Sequence, residues 1–96
     1  MFAWDTRKAI RNAAKHGVSF EEAATIFADP EALDWEDTEH SESELRSKRL
    51  GRSLAGRVLL VVYTTRRMKD GKETFRIISA RQASRKERKA YAGQPN

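Results

Sequence analysis

The run Val58-Leu59-Leu60-Val61-Val62-Tyr63 restricts the possible folds of this 96-residue chain more than any other feature. It is continuous and largely β-branched, as in a central strand covered on both faces. A chain of this length builds one modest core, so residues 1–96 read as a single domain around that strand. Downstream, Asp70-Gly71 is a strong hairpin signal and Thr74–Ala80 the returning strand. A two-residue turn there sets Lys69 against Lys72, Thr65 against Arg76 and Tyr63 against Ile78. Upstream, Leu45–Arg52 is polar and basic, which suits an edge strand or one with a working face. Three antiparallel strands in meander order follow.

The remaining segments read as helices. Phe2-Ala3-Trp4 is a short strand or an apolar anchor, and Asp5 caps a helix with Ala9, Ile10, Ala13 and Ala14 on one face. Lys15-His16-Gly17 ends it, with cations opposing the dipole and a glycine free to turn left-handed. Ser19 and Glu22 have capping-box spacing, with Val18 and Ala23 placed as a hydrophobic staple. Phe20, Ala23, Ala24, Ile26 and Phe27 then form a buried stripe up to Asp29-Pro30. Leu33-Asp34-Trp35 is a brief strand, and Glu36 to Glu44 an exposed acidic loop. Ser84 and Glu87 repeat the box and open a last helix through Tyr91, stopped by Gly93 and Pro95. The fold class is α+β: two N-terminal helices, an antiparallel meander and a C-terminal helix.

Charge is distributed unevenly. Residues 1–20 carry four Lys/Arg against one Asp, residues 21–44 ten Asp/Glu and no Lys or Arg, and residues 45–96 fifteen Lys/Arg against three acids. This asymmetry points to a polyanion as partner, and nucleic acid is the commonest one. Without cysteine there is no disulfide, thiolate nucleophile or cysteine-based zinc site. His16 and His40 lie too far apart for a paired metal site, so no metal or other cofactor is expected. The N-terminus lacks a signal-peptide pattern and the longest apolar run is too short to span a bilayer. A cytoplasmic protein with no membrane partner is the expectation.

Several arginines bear on chemistry. Arg46 and Lys48 share one parity on their strand, Arg66 and Arg67 flank the hairpin, and Arg76 and Arg81 bracket the last strand. Arg85 and Arg88 lie on the helix after it. Guanidinium forks bind phosphate bidentately and would stabilise the charge of a phosphorane. Arg76 and Arg81 are five residues apart, so a regular strand points them to opposite faces unless a bulge intervenes. RNA can be cut without metal, since its 2′-hydroxyl is the nucleophile; His40 is then a candidate base or acid and Glu44 the next base. Tyr63 and Tyr91 are candidates for stacking or hydroxyl donation, although Tyr63 in an apolar strand also suits the core. The plainer readings are a solvated histidine at His40, a helix end at His16 and an exposed basic face on the last helix.

Phe2-x-Trp4-Asp5, Asn12-x-x-Lys15-His16-Gly17-Val18-Ser19-Phe20-Glu21-Glu22-Ala23 and Phe27-x-Asp29-Pro30 resemble the N-terminal half of the BrnT toxins. His40-Ser41, Glu44-x-Arg46, Gly51-x-Ser53, Gly56-Arg57, Tyr63-Thr64-x-Arg66, Arg76-Ile77-Ile78-Ser79-Ala80-Arg81 and Glu87-Arg88 continue the likeness. The resemblance implies a RelE-like fold and metal-independent RNA cleavage that inhibits translation and growth. It also implies a type II toxin–antitoxin pair with a BrnA-type antitoxin, two toxins joined by an antitoxin dimer that carries them to operator DNA. By this analogy Arg66, Arg76 and Arg81 hold the phosphate, followed by His40, Glu44 and Arg46, with Lys48, Arg67, Arg85, Arg88 and Tyr91 as RNA contacts. Thr6 stands where the family pattern has proline, and Thr65 where it has glutamate. The alternatives are a nucleic-acid-binding module without catalysis, and an interaction protein that docks an acidic partner through its basic face.

Overall fold

The computed structural model describes residues 1–40 and 45–93, the His40 side chain excepted. The elements in order are β1 (Phe2–Ala3), α1 (Thr6–His16), α2 (Phe20–Thr25), a 3-10 turn (Ile26–Ala28), β2 (Leu33–Glu36), a second 3-10 turn (Thr38–His40), β3 (Arg46–Arg52), β4 (Val58–Arg67), β5 (Glu73–Gln82) and α3 (Arg85–Tyr91). The strands form one sheet in the order β1-β5-β4-β3-β2. The expected antiparallel meander is β3-β4-β5, and the fold is α+β. Two-residue β1 joins β5 in parallel, so the sheet is mixed rather than purely antiparallel.

Strand parity divides the sheet into two unequal faces. Leu59, Val61, Ile77 and Ala80 point to the face covered by α1 and α2, where Val18, Phe20, Ala23 and Ile26 complete the main core. On the opposite face, Leu50, Leu60 and Ala83 are buried together at one end, with Val58 and Tyr91 of α3 packed against them. A three-turn helix and a two-turn helix shield the first face, whereas α3 reaches only one end of the second. Gly51 allows a close approach on the main face: a Cβ there would lie 3.1 Å from the Ile26 Cβ and 3.2 Å from the Ala32 Cβ.

Helix α1 turns a different side to the sheet than its apolar pattern suggests. Ile10 is 65% exposed, while Asn12 is buried. The Asn12 Nδ2 donates to the carbonyls of Ala80 at 2.8 Å and Val18 at 3.0 Å, and its Oδ1 accepts from the Ala80 N–H at 3.1 Å. Strand β1 pairs with β5 only at Phe75 and Arg76. Past that point the outer edge of β5 has no strand neighbour among the described residues, and the asparagine supplies what one would have supplied. Burial of three backbone polar groups outweighs one exposed isoleucine.

The hairpin also differs. The Met68 N–H donates to the Lys72 carbonyl at 2.7 Å and the Gly71 N–H to the Met68 carbonyl at 3.0 Å, with Gly71 at φ 84°. This is a three-residue loop whose glycine takes the left-handed conformation, not a two-residue turn. Arg76 therefore faces Thr64 instead of Thr65, and Tyr63 faces Ile77 instead of Ile78. The register slips back between Val62 and Tyr63, leaving Ile78 as a β-bulge.

All three expected helix starts are present, with one of the two capping boxes half-made. Ser19 accepts from the Glu22 N–H at 3.0 Å, but the Glu22 carboxylate is held by the Arg57 guanidinium and the Ser53 hydroxyl. At α3 the Ser84–Glu87 box is complete. Among the described residues no helix is long and apolar enough to cross a membrane. Asn12→Ala is expected to lower stability by about 2–3 kcal/mol, since it strands buried backbone groups. Urea unfolding should show a lower midpoint at unchanged slope; a loss below about 0.5 kcal/mol would mean that water replaces the asparagine without cost.

Candidate nucleic-acid interface

The half of the sheet that α3 leaves open carries the basic residues. Across the three long strands, Arg46 pairs with Thr64 and Thr64 with Arg76; the next row is Lys48, Val62 and Ser79, and the next Leu50, Leu60 and Arg81. Arg66, opposite Thr74, extends the face beyond the first row. Arg76 and Arg81 reach the same side because Ile78 is bulged out between them. Without the bulge one of them would point into the main core. From Leu60 to Arg66 the face runs about 20 Å at roughly 3.4 Å per residue.

Among the described residues, two depressions lie along it. The smaller, about 240 Å³, has Val62 and Leu60 in its floor and Arg46, Lys48, Ser79, Arg81 and Asp37 around it. The larger, about 520 Å³, lies beyond the first row, bounded on that side by Arg66 and Arg76. Thr64 sits between them. It is buried, and among the described residues its Oγ1 is the buried side-chain atom without a hydrogen-bond partner. A hydroxyl left this way costs free energy, and such groups concentrate where a ligand or water completes them.

Arg81 is held by α3. Its Nη1 and Nη2 donate to the two Glu87 carboxylate oxygens at 2.8 and 3.0 Å, and 41% of its side chain stays exposed. Glu87 Oε1 also accepts from the Ser84 N–H at 2.8 Å as part of the capping box. The helix start therefore fixes Glu87, and Glu87 fixes the guanidinium at the end of the groove. The hydrogen bonds from Arg81 keep the Glu87 carboxyl below the ordinary carboxylate range, against the opposing effect of its burial.

Asp37 is the site residue that sequence reasoning missed. It was expected in an exposed acidic loop, yet it is buried, its N–H donates to the Arg46 carbonyl at 2.8 Å, and it lines the smaller depression. Pairing of β2 with β3 carries it there, and nothing in the local sequence separates it from the acids around it.

Other candidates are placed elsewhere. Tyr91 donates to Asp29 Oδ2 at 2.6 Å, and the same oxygen accepts from the Arg52 N–H, so the tyrosine pins α3 to β3. Arg88 donates to the Ala83 carbonyl at the start of its own helix. Arg67 pairs with Glu73 across the exposed hairpin, on the parity opposite to Arg66. Arg85 is exposed in the first turn of α3. Tyr63 packs with Phe27 and Phe75 in the main core and donates to Asp34, as its apolar strand suggested. His40 ends the turn after Asp37, while its side chain and all of Glu44 lie outside the described residues. Among the described residues, no three His, Cys, Asp or Glu side chains converge as a metal site would require.

A family model described as the ribonuclease toxin BrnT of type II toxin–antitoxin systems matches residues 4–87. The chain belongs to the BrnT family. The match takes in the Asn12 clamp, the open face and the capping box of α3. Among solved structures, the Brucella abortus ribonuclease toxin BrnT is similar at a TM-score of 0.63 and 24% identity, covering 88% of this chain and 99% of that one. At that identity the likeness speaks for the fold. None of the curated proteins matches the chain.

The Arg81–Glu87 pair gives a pH prediction. The folded Glu87 pKa is depressed from 4.5, so its stabilisation is fully present above that value and lost as pH falls through the folded pKa. Melting temperatures of the wild type and Glu87→Gln should differ at pH 7 and converge toward pH 3. A difference that stays constant with pH would show that the charge of Glu87 adds nothing to its capping role.

Proposed function

We propose that this BrnT-family chain, acting as one domain in the cytoplasm, cleaves single-stranded RNA on its open basic face without a metal ion. The observation that carries this reading is the bulge at Ile78, which gathers Arg76 and Arg81 onto the face of Arg46, Lys48 and Arg66. An arginine on each side of Thr64 suits a phosphate lying across the strands, gripped by planar donors that stay charged at any working pH. The substrate 2′-oxygen attacks the adjacent phosphorus, the bond to the 5′-oxygen breaks, and a 2′,3′-cyclic phosphate and a 5′-hydroxyl result. Asp37, on the rim of the smaller depression, takes the 2′-hydroxyl proton. His40, three residues on, returns a proton to the leaving oxygen, a role that imidazole chemistry suits. Arg46, Arg76 and Arg81 stabilise the charge that grows on the phosphorane.

The antitoxin of this reading is of the BrnA type and covers the same face, two toxins being joined by an antitoxin dimer that brings the complex to operator DNA. An acidic surface on the antitoxin would meet the guanidiniums that RNA otherwise occupies.

The test is cleavage of a long end-labelled RNA in EDTA, with and without ribosomes. The expected result is cyclic-phosphate ends, a rate lower by about 10²-fold or more in Arg76→Ala, and a similar loss in Asp37→Asn. Intact RNA from folded protein overturns the nuclease reading. If the same RNA is bound but uncut, with affinity falling steeply with salt, the face is a binding surface alone.

A further inference from the structure

The larger depression has the chemistry of a pocket for a nucleobase. It lies one row, about 7 Å at two residues of strand rise, past Arg46, Thr64 and Arg76, and is bounded there by Arg66 and Arg76. Its other walls are Met1, Ala3, Trp4, Met68 and Thr74, with Asp5 at the N-terminus of α1. Trp4 is half-buried and braced on Phe20 at 6.0 Å between ring centroids, so it presents a supported surface. Met68 is 52% exposed, an apolar side chain left beside a strongly charged face. At about 520 Å³ the depression falls in the size range of small-molecule sites: apolar walls with a few convergent polar groups. A phosphate on the first row leaves its attached nucleoside one row's distance to reach this space.

Asp5 gives the pocket its selectivity. Its Oδ1 accepts the capping hydrogen bond from the Lys8 N–H at 3.0 Å. That bond holds the carboxyl below the ordinary carboxylate range, although burial opposes it, so the group is ionised near neutrality. A carboxylate has about four lone-pair sites, and the backbone N–H groups of Lys8 and Arg7 leave the others open. Capping alone needs an acceptor and is served equally well by asparagine or serine. A carboxylate offers two adjacent acceptors and no donor, which matches the neighbouring N1–H and N2–H₂ donors of guanine. Adenine, cytosine and uracil each set an acceptor beside their donor on that edge, and it would be repelled. RNA-binding proteins commonly read unstacked bases in this way, by an apolar or aromatic wall and hydrogen bonds to the Watson–Crick edge.

We propose that the depression between Trp4, Met68 and Asp5 is a guanine subsite, which places the cut beside a guanosine. The placement of the cut rests on the nuclease reading above; the subsite itself does not. The test is an NMR titration of the whole chain with guanosine and adenosine 3′- and 5′-monophosphates, following the Trp4 indole N–H and the Ala3 and Met68 amides. Guanosine monophosphate is expected to shift those signals and to bind at least about tenfold more tightly than the adenosine nucleotide, the step that one bidentate contact typically supplies. Asp5→Asn keeps the cap and should cut that preference to below about threefold. Met68→Ala should weaken both nucleotides alike. Shifts absent at Trp4 and Met68, equal affinity for the two bases, or a preference untouched by Asp5→Asn would each overturn the subsite. Since the titration needs no turnover, guanosine selectivity in a protein that leaves RNA intact keeps the subsite and sinks the nuclease reading. Cleavage without base bias does the reverse.

Discussion

The hold of Asn12 on Ala80 is the contact on which the rest of the architecture leans. Strand β5 carries two of the arginines of the open face, yet its outer edge is paired for only two residues by β1. A bare edge facing the main core would leave peptide groups without water or partner, a cost of about 1–3 kcal/mol each. One asparagine answers the N–H and the C=O of Ala80 and also takes the Val18 carbonyl, so β5, α1 and the turn into α2 are tied at one point. That point lies two residues after the bulged Ile78. A bulge tends to slide when nothing fixes the strand beyond it, and the fixed peptide keeps Arg81 on the groove side.

The acidic stretch of the chain has two fates. Glu22, Asp29 and Asp34 are drawn to the basic half as structural partners: Glu22 holds Arg57, Asp29 receives Tyr91 and the Arg52 N–H, and Asp34 receives Arg49 and Tyr63. These contacts fasten the helical layer and α3 to the sheet. Asp37 instead turns to the open face, among Arg46, Lys48 and Arg81. Its cationic neighbours give that face an attraction for polyanions. The charge contrast between segments thus serves folding first and leaves the open face with a surplus of cations.

Much of this was legible in the chain because the signals are local. The apolar run at Val58–Tyr63 became β4, Asp5, Ser19 and Ser84 became caps, and Gly17 and Gly71 took left-handed conformations. Each depends on a handful of adjacent residues whose backbone preferences hold in any context. The alternation of Arg46 and Lys48 along β3 was legible for the same reason, as was the family likeness.

What tertiary structure decided is which face each residue serves. A three-residue loop in place of a two-residue one moved Arg76 onto the open side, and the bulge moved Arg81 to join it; each is a shift of a single residue that reverses every side chain beyond it. Ile10 was left in solvent and Asn12 buried because the unpaired edge of β5 needed hydrogen bonds, a requirement invisible within α1 itself. Tyr91 and Arg88 were drawn into holding α3, and Asp37 was carried into the groove by a strand pairing. The sequence by itself determined the elements and their order, since these follow from near neighbours. The register between strands, and with it the composition of the site, came from contacts between residues far apart in the chain.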